Sequence, residues 1–142
     1  MSTSSLHGSS IMPSLRYRDA HAAIDWLCRA LGFERHAVYE DDRGGIAHAQ
    51  LRHGSGMIML GSVREDAFGC QTIQPDQTGG RVTQSAYIVV ADCKAHYALA
   101  RAAGARIVDA YEEKDYGGAG YSCLDPEGHL WSIGSYDPWQ TR

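Results

Sequence analysis

Seven histidines and four cysteines are the groups in this chain best suited to proton transfer, metal ligation or nucleophilic attack. The cysteines, Cys28, Cys70, Cys93 and Cys123, contain no CxxC pair, so neither a zinc site nor a thioredoxin-like redox centre is indicated. They read as reduced thiols packed as small apolar side chains, with Cys70, in a loop, the exposed one. The histidines are His7, His21, His36, His48, His53, His96 and His129. His48 is the candidate for chemistry, because it sits mid-strand among small residues. The stretch Ile46–Arg52 alternates, placing Ile46, His48 and Gln50 on one face and Ala47, Ala49 and Leu51 on the other. His53 falls on the face opposite His48, so the two are not co-ligands. His21 and His96 fall on helices and read as exposed, and His129 opens a strand after a turn, a structural place.

These side chains are positioned by a hairpin and a repeat. Asp125-Pro126-Glu127-Gly128 is a turn with a mechanism: Pro126 sets φ near −65° and Gly128 accepts a positive φ. The segments on either side are extended. In the last strand Leu130, Ser132 and Gly134 share one face, and Trp131 and Ile133 the other. Shifting the chain on itself by 73 residues lays Gly56-Met57-Ile58-Met59-Leu60-Gly61-Ser62 on His129-Leu130-Trp131-Ser132-Ile133-Gly134-Ser135, and Asp19 on Asp92. A one-residue gap after the first helix lays Gly32 on Gly104 and Tyr39-Glu40 on Tyr111-Glu112. Four anchors in one register indicate two diverged copies of one unit. The same shift pairs His48 with Tyr121.

Each copy reads strand, helix, strand, strand, strand. In the first, Ile11–Tyr17 is a strand and Asp19 an N-cap. The helix runs from Ala20 to Leu31 with an apolar stripe of Ala23, Ile24, Leu27, Cys28 and Leu31, and Gly32 stops it. Strands follow at Phe33–Glu40, Ile46–Arg52 and Met57–Gly61. The second copy has a strand at Gln84–Ala91, a helix from Asp92 to Ala103, a strand at Ala105–Glu112 and the closing hairpin. The organisation is thus a flexible N-terminal tail over 1–10, a module over 11–62, a connector over 63–83, a module over 84–136 and a tail over 137–142, forming one domain around a shared core. The connector reads as a surface crossover between the copies or as a lid in which Phe68 and Ile73 close over something.

Composition narrows the partners. A net charge of −4 without a basic block argues against nucleic acid. No apolar run reaches spanning length, and the polar start lacks a signal-peptide pattern, so no membrane association and a cytoplasmic location are expected.

The paired βαβββ pattern resembles the vicinal oxygen chelate superfamily, the glyoxalase/bleomycin-resistance/dioxygenase group, in its small glyoxalase-like or bleomycin-resistance-like branch. The resemblance rests on Pro13-Ser14-Leu15-Arg16-Tyr17-Arg18-Asp19, Ala30-Leu31-Gly32-Phe33-Glu34, Gly56-Met57-Ile58-Met59-Leu60-Gly61 and Asp125-Pro126-Glu127-Gly128-His129-Leu130-Trp131. It implies an α+β fold in which the two modules form a cupped mixed sheet with helices on the outer face. It also implies that a metal, where present, is held from the first and last strand of each unit, at Met12, Met59, Ser85 and Ser132. Thioethers and hydroxyls are poor ligands for Mg, Mn, Ni, Zn or ferrous iron. No metal and no other cofactor is therefore expected.

The same resemblance turns a pocket face toward the ligand. That face carries Met12, Ser14, Arg16, His48, Met59, Ser85, Tyr87, Tyr121 and Ser132, while Trp131 and Ile133 turn to the helices. The expectation is metal-free binding of a small organic molecule, with drug sequestration as one form, by a homodimer. The alternative is a glyoxalase-like lyase, isomerase or dioxygenase, using a divalent metal or acid–base chemistry by His48 or Tyr121.

Overall fold

The computed structural model describes residues 8–140; the expected tails over 1–10 and 137–142 lie partly outside them. The elements are β1 (Ser14–Tyr17), α1 (Ala20–Leu31), β2 (Glu34–Glu40), β3 (Ile46–His53), β4 (Gly56–Ser62), β5 (Ala86–Val89), α2 (Cys93–Ala102), β6 (Arg106–Glu113), β7 (Ala119–Leu124) and β8 (Leu130–Gly134). They form two four-stranded sheets, ordered β1-β4-β3-β2 and β5-β8-β7-β6. In each, the first strand pairs parallel with the last and the other pairs are antiparallel. The fold is therefore α+β, two βαβββ modules, and the expected mixed sheet is built as one four-stranded sheet per module. Two compact units divide between Gln74 and Pro75, inside the connector, with Arg29–Leu31 of α1 grouped with the second.

Both helices start for the same reason. An Asp19 carboxylate oxygen accepts the Ala22 N–H at 3.1 Å, and the same oxygen of Asp92 accepts that of Ala95 at 3.0 Å. Each cap is worth about 1 kcal/mol. Helix α1 buries Ala23, Ile24, Trp26, Leu27 and Leu31 and ends at Gly32, whose φ of 84° is left-handed. The first sheet buries Tyr17, Ile46, Ala49, Leu51, Ile58 and Leu60; the second buries Ile88, Tyr121, Cys123, Trp131 and Ile133. Helix α2 packs on β6 and β7.

The Gly-Ser echo that revealed the repeat has a structural cause. Ser62 Oγ accepts the Ile46 N–H and Ser135 Oγ accepts the Ala119 N–H, both at 2.9 Å, latching the open end of the same strand pair in each module. The preceding glycine lies against the neighbouring strand: a Cβ would stand 3.0 Å from the Ala47 carbonyl at Gly61 and 2.9 Å from the Ala119 carbonyl at Gly134. The Asp-Pro-Glu-Gly turn is organised by Asp125, which is 1% exposed. Its Oδ1 accepts the N–H groups of Glu127 and His129, each at 3.0 Å, and its Oδ2 accepts the Trp131 indole N–H at 3.1 Å.

Several expectations are revised. Strand β1 begins at Ser14, so Met12 precedes it; β5 begins at Ala86, so Ser85 precedes it and is exposed. Ile46 is buried while His48 is half-buried, because the β2–β3 ladder is irregular between the Glu40–Ile46 and Tyr39–His48 pairs. That bulge removes Ile46 from the face of His48 and Gln50. The connector carries two short 3-10 turns, Gly69–Gln71 and Pro75–Gln77. Phe68 covers the Arg16 guanidinium at 4.8 Å, and the buried Gln74 side chain donates to the Arg16 carbonyl at 3.1 Å.

Candidate functional site

In the second module, strand alternation sets Trp131 and Ile133 into the core, each 1% exposed, and leaves Ser132 on the opposite face. The ladders then bring neighbours to Ser132: Tyr87 beside it on β5 and Ser122 beside it on β7. The Ser122 and Ser132 hydroxyls share a hydrogen bond of 2.9 Å. Tyr87 lies across Gly134, where any Cβ would run into its hydroxyl, and donates to the Tyr136 carbonyl at 2.7 Å. Tyr116 meets the Tyr136 ring edge-on, with centroids 5.7 Å apart. These residues line an open cleft of about 140 Å³, as do Asp109 and Lys114. Lys114 Nζ donates to Glu112 Oε1 at 2.9 Å, which holds its ammonium above the usual lysine range.

Of the expected pocket residues, Tyr87, Tyr121 and Ser132 line this cleft; Ser85 stands two residues before Tyr87. The others belong to the first module. Ser14 and Met59 are direct partners across β1 and β4, and Arg16 pairs with Gly61 on the same face. Arg16 donates to the Ser62 carbonyl at 3.0 Å. His48 stacks on Tyr39 at 6.3 Å, and its Nε2 lies 3.1 Å from the Gln50 amide nitrogen.

Tyr121 borders the cleft, but its side chain turns inward. It is 4% exposed on the core face, and its hydroxyl lies 2.7 Å from His96 Nδ1. His96 Nε2 is 2.8 Å from the Leu31 carbonyl, which can only accept. His96 Nε2 therefore donates to the Leu31 carbonyl, and Nδ1 and the Tyr121 hydroxyl form the second bond. His96 is thus a half-buried bonding residue and not the exposed helix residue expected. Burial pushes the Tyr121 phenol well above the usual tyrosine range. The ladders also show why the His48–Tyr121 pairing fails. Ala49 pairs with Leu60 as Tyr121 pairs with Ile133, so the counterpart of Tyr121 is Ala49 and that of His48 is Gly120.

The family-type metal positions do not fit a metal. Met12, Met59, Ser85 and Ser132 supply thioethers and neutral hydroxyls, and among the described residues no three His, Cys, Asp or Glu side chains are grouped to hold an ion. Sequence reasoning missed Ser122, Tyr136, Tyr116, Asp109 and Lys114. Two carried a signal: Tyr136 continues the Ser132–Gly134 alternation, and Ser122 follows by counting back through the hairpin.

Residues 10–133 match the family model of the Glyoxalase/Bleomycin resistance protein/Dioxygenase superfamily. An uncharacterized protein of Mycobacterium tuberculosis is 30% identical over 125 residues, spanning 88% of this chain and 73% of the relative. Among solved structures, TioX from a Micromonospora species is similar, with 33% identity and a TM-score of 0.70 over 89% of this chain and 98% of TioX. A glyoxalase-related enzyme from Fulvimarina pelagi shares the fold at 15% identity and a TM-score of 0.61, over 89% and 86% of the two chains.

Proposed function

The chain belongs to the glyoxalase/bleomycin resistance protein/dioxygenase superfamily, and from that premise we propose that it binds a small organic molecule, without a metal, in the cleft of its second module. The observation carrying this reading is the donor set. The Ser122–Ser132 hydroxyl pair lies on the sheet face and tyrosines flank it, a mix of aromatic surface and convergent polar groups suited to holding a ligand. Drug sequestration is one form this binding takes.

The acid–base alternative draws no support from Tyr121. Its hydroxyl is engaged by His96, and its raised pKa keeps it protonated at neutral pH. No helix among the described residues is long and apolar enough to cross a membrane. The proposal places the protein in a cytoplasm, where the free thiols Cys28, Cys70, Cys93 and Cys123 stay reduced.

Native mass spectrometry of the purified protein tests the binding reading. The expected result is an organic adduct that Ser132→Ala weakens and EDTA leaves in place; an adduct lost to EDTA would refute the metal-free reading. We also propose a homodimer. Sedimentation at micromolar concentration showing only a 15.5 kDa species refutes it.

A further inference from the structure

The second-module cleft also specifies the charge of its occupant. Tyr87, Tyr116 and Tyr136 flank it with 45%, 69% and 48% of their surfaces exposed, unusual for three neighbouring aromatic rings in one module. Their positions are fixed. The Tyr87 hydroxyl is held by the Tyr136 carbonyl, and Tyr116 and Tyr136 stand at 86° to one another, a corner of two ring planes. Aromatic faces are negative and attract organic cations. The cleft volume of about 140 Å³ is close to the ~150 Å³ that accepts a benzene-sized guest.

The fixed charges point the same way. Lys114 is the cation in the lining, and Glu112 already matches it. With Lys114 engaged by Glu112, the Asp109 carboxylate in the lining is left without a cation to match it. An anion would meet Asp109 and Glu112 with its natural partner engaged. We propose that the ligand is an organic cation, a tertiary or quaternary ammonium or a protonated ring nitrogen, whose charged head lies against the three tyrosines with Asp109 beside it. This deepens the small-molecule reading above and rests on it.

Three probes of one shape separate the possibilities: choline, its uncharged carbon isostere neohexanol, and the carboxylate of tert-butylacetic acid. Each is titrated into the full chain while the tyrosine ring resonances are followed by NMR. Choline should bind roughly tenfold more tightly than neohexanol, with the carboxylate weakest, as a partly desolvated cation–π contact predicts. Tyr116→Ala, at an exposed position that the fold does not need, should lower choline affinity about fivefold or more. Asp109→Asn should lower it and flatten its salt dependence, whereas Tyr39→Ala in the first module should leave it unchanged. Equal or tighter binding of neohexanol or the carboxylate at these tyrosines overturns the cationic assignment and leaves the small-molecule reading standing. No shift of the Tyr87, Tyr116 or Tyr136 resonances with any probe at millimolar concentration overturns both.

Discussion

Asp125→Asn is the substitution that most directly tests how the closing hairpin is held. The parent carboxylate is 1% exposed and accepts hydrogen bonds from the backbone N–H groups of Glu127 and His129 and from the Trp131 indole. The amide can keep Oδ1 toward Glu127 and His129, but its NH₂ then faces the indole N–H, donor against donor. One charge-assisted bond is lost, about 1.5–3 kcal/mol, and two become neutral and weaker by something like half. The sum is roughly 3–6 kcal/mol, on the order of 10–20 °C in melting temperature for a chain of this size. Circular dichroism melts and urea titrations measure it. Trp131→Phe removes the opposing donor, so the double variant should be less destabilised than the sum of the singles by about 1–2 kcal/mol. A melting shift below about 3 °C for Asp125→Asn, or strict additivity in the cycle, would refute the reasoning.

The two faces of β8 should respond oppositely: Trp131→Ala costs roughly 3–5 kcal/mol, whereas Ser132→Ala costs at most about 1 kcal/mol. Equal effects in denaturant melts would mean that the strand faces are misassigned. Stability should fall as pH rises above about 10, because the unfolded chain loses the phenolic proton there while buried Tyr121, with its raised pKa, retains it. Below that pH both states are protonated and the effect is absent; Tyr121→Phe should flatten the alkaline limb in pH-dependent melts. EDTA, or added Ni, Zn, Mn or Fe, should leave the melting temperature unchanged; a metal-dependent rise would overturn the metal-free reading.

Local signals were legible where one side chain decides the backbone. Asp19 and Asp92 start helices because each carboxylate caps a free N–H, and Gly32 ends one because it takes a positive φ. The module repeat was legible because Ser62 and Ser135 perform the same bond. The facing of the third strand was not, because the gap between the copies closes late. The β7–β8 turn is one residue longer than the β3–β4 turn: Cys123 pairs with Trp131 eight residues on, and Leu51 with Ile58 seven on. A one-residue slip exchanges the faces of a strand, so a register that pairs His48 with Tyr121 turns the Tyr121 side chain outward, whereas it is buried. The His96–Tyr121 bond joins residues 25 apart, and no local spacing announces it.

The register of the two ladders bears on how the copies have diverged. Tyr87 pairs with Ser132 as Ser14 pairs with Met59, and Ser122 pairs with Ser132 as Gln50 pairs with Met59. Tyr136, one past the Ser135 latch, answers to Val63, one past Ser62. The two copies share latches, caps and sheet order, while the corresponding face carries Tyr87, Ser122 and Ser132 in one and Ser14, Gln50 and Met59 in the other. A duplicated scaffold has thereby been relieved of symmetry. Calorimetric titration should show one ligand per chain and no second, equivalent step. Making the first copy like the second takes Ser14→Tyr, Gln50→Ser, Met59→Ser and Val63→Tyr together, and that is the change by which a second occupancy would be acquired.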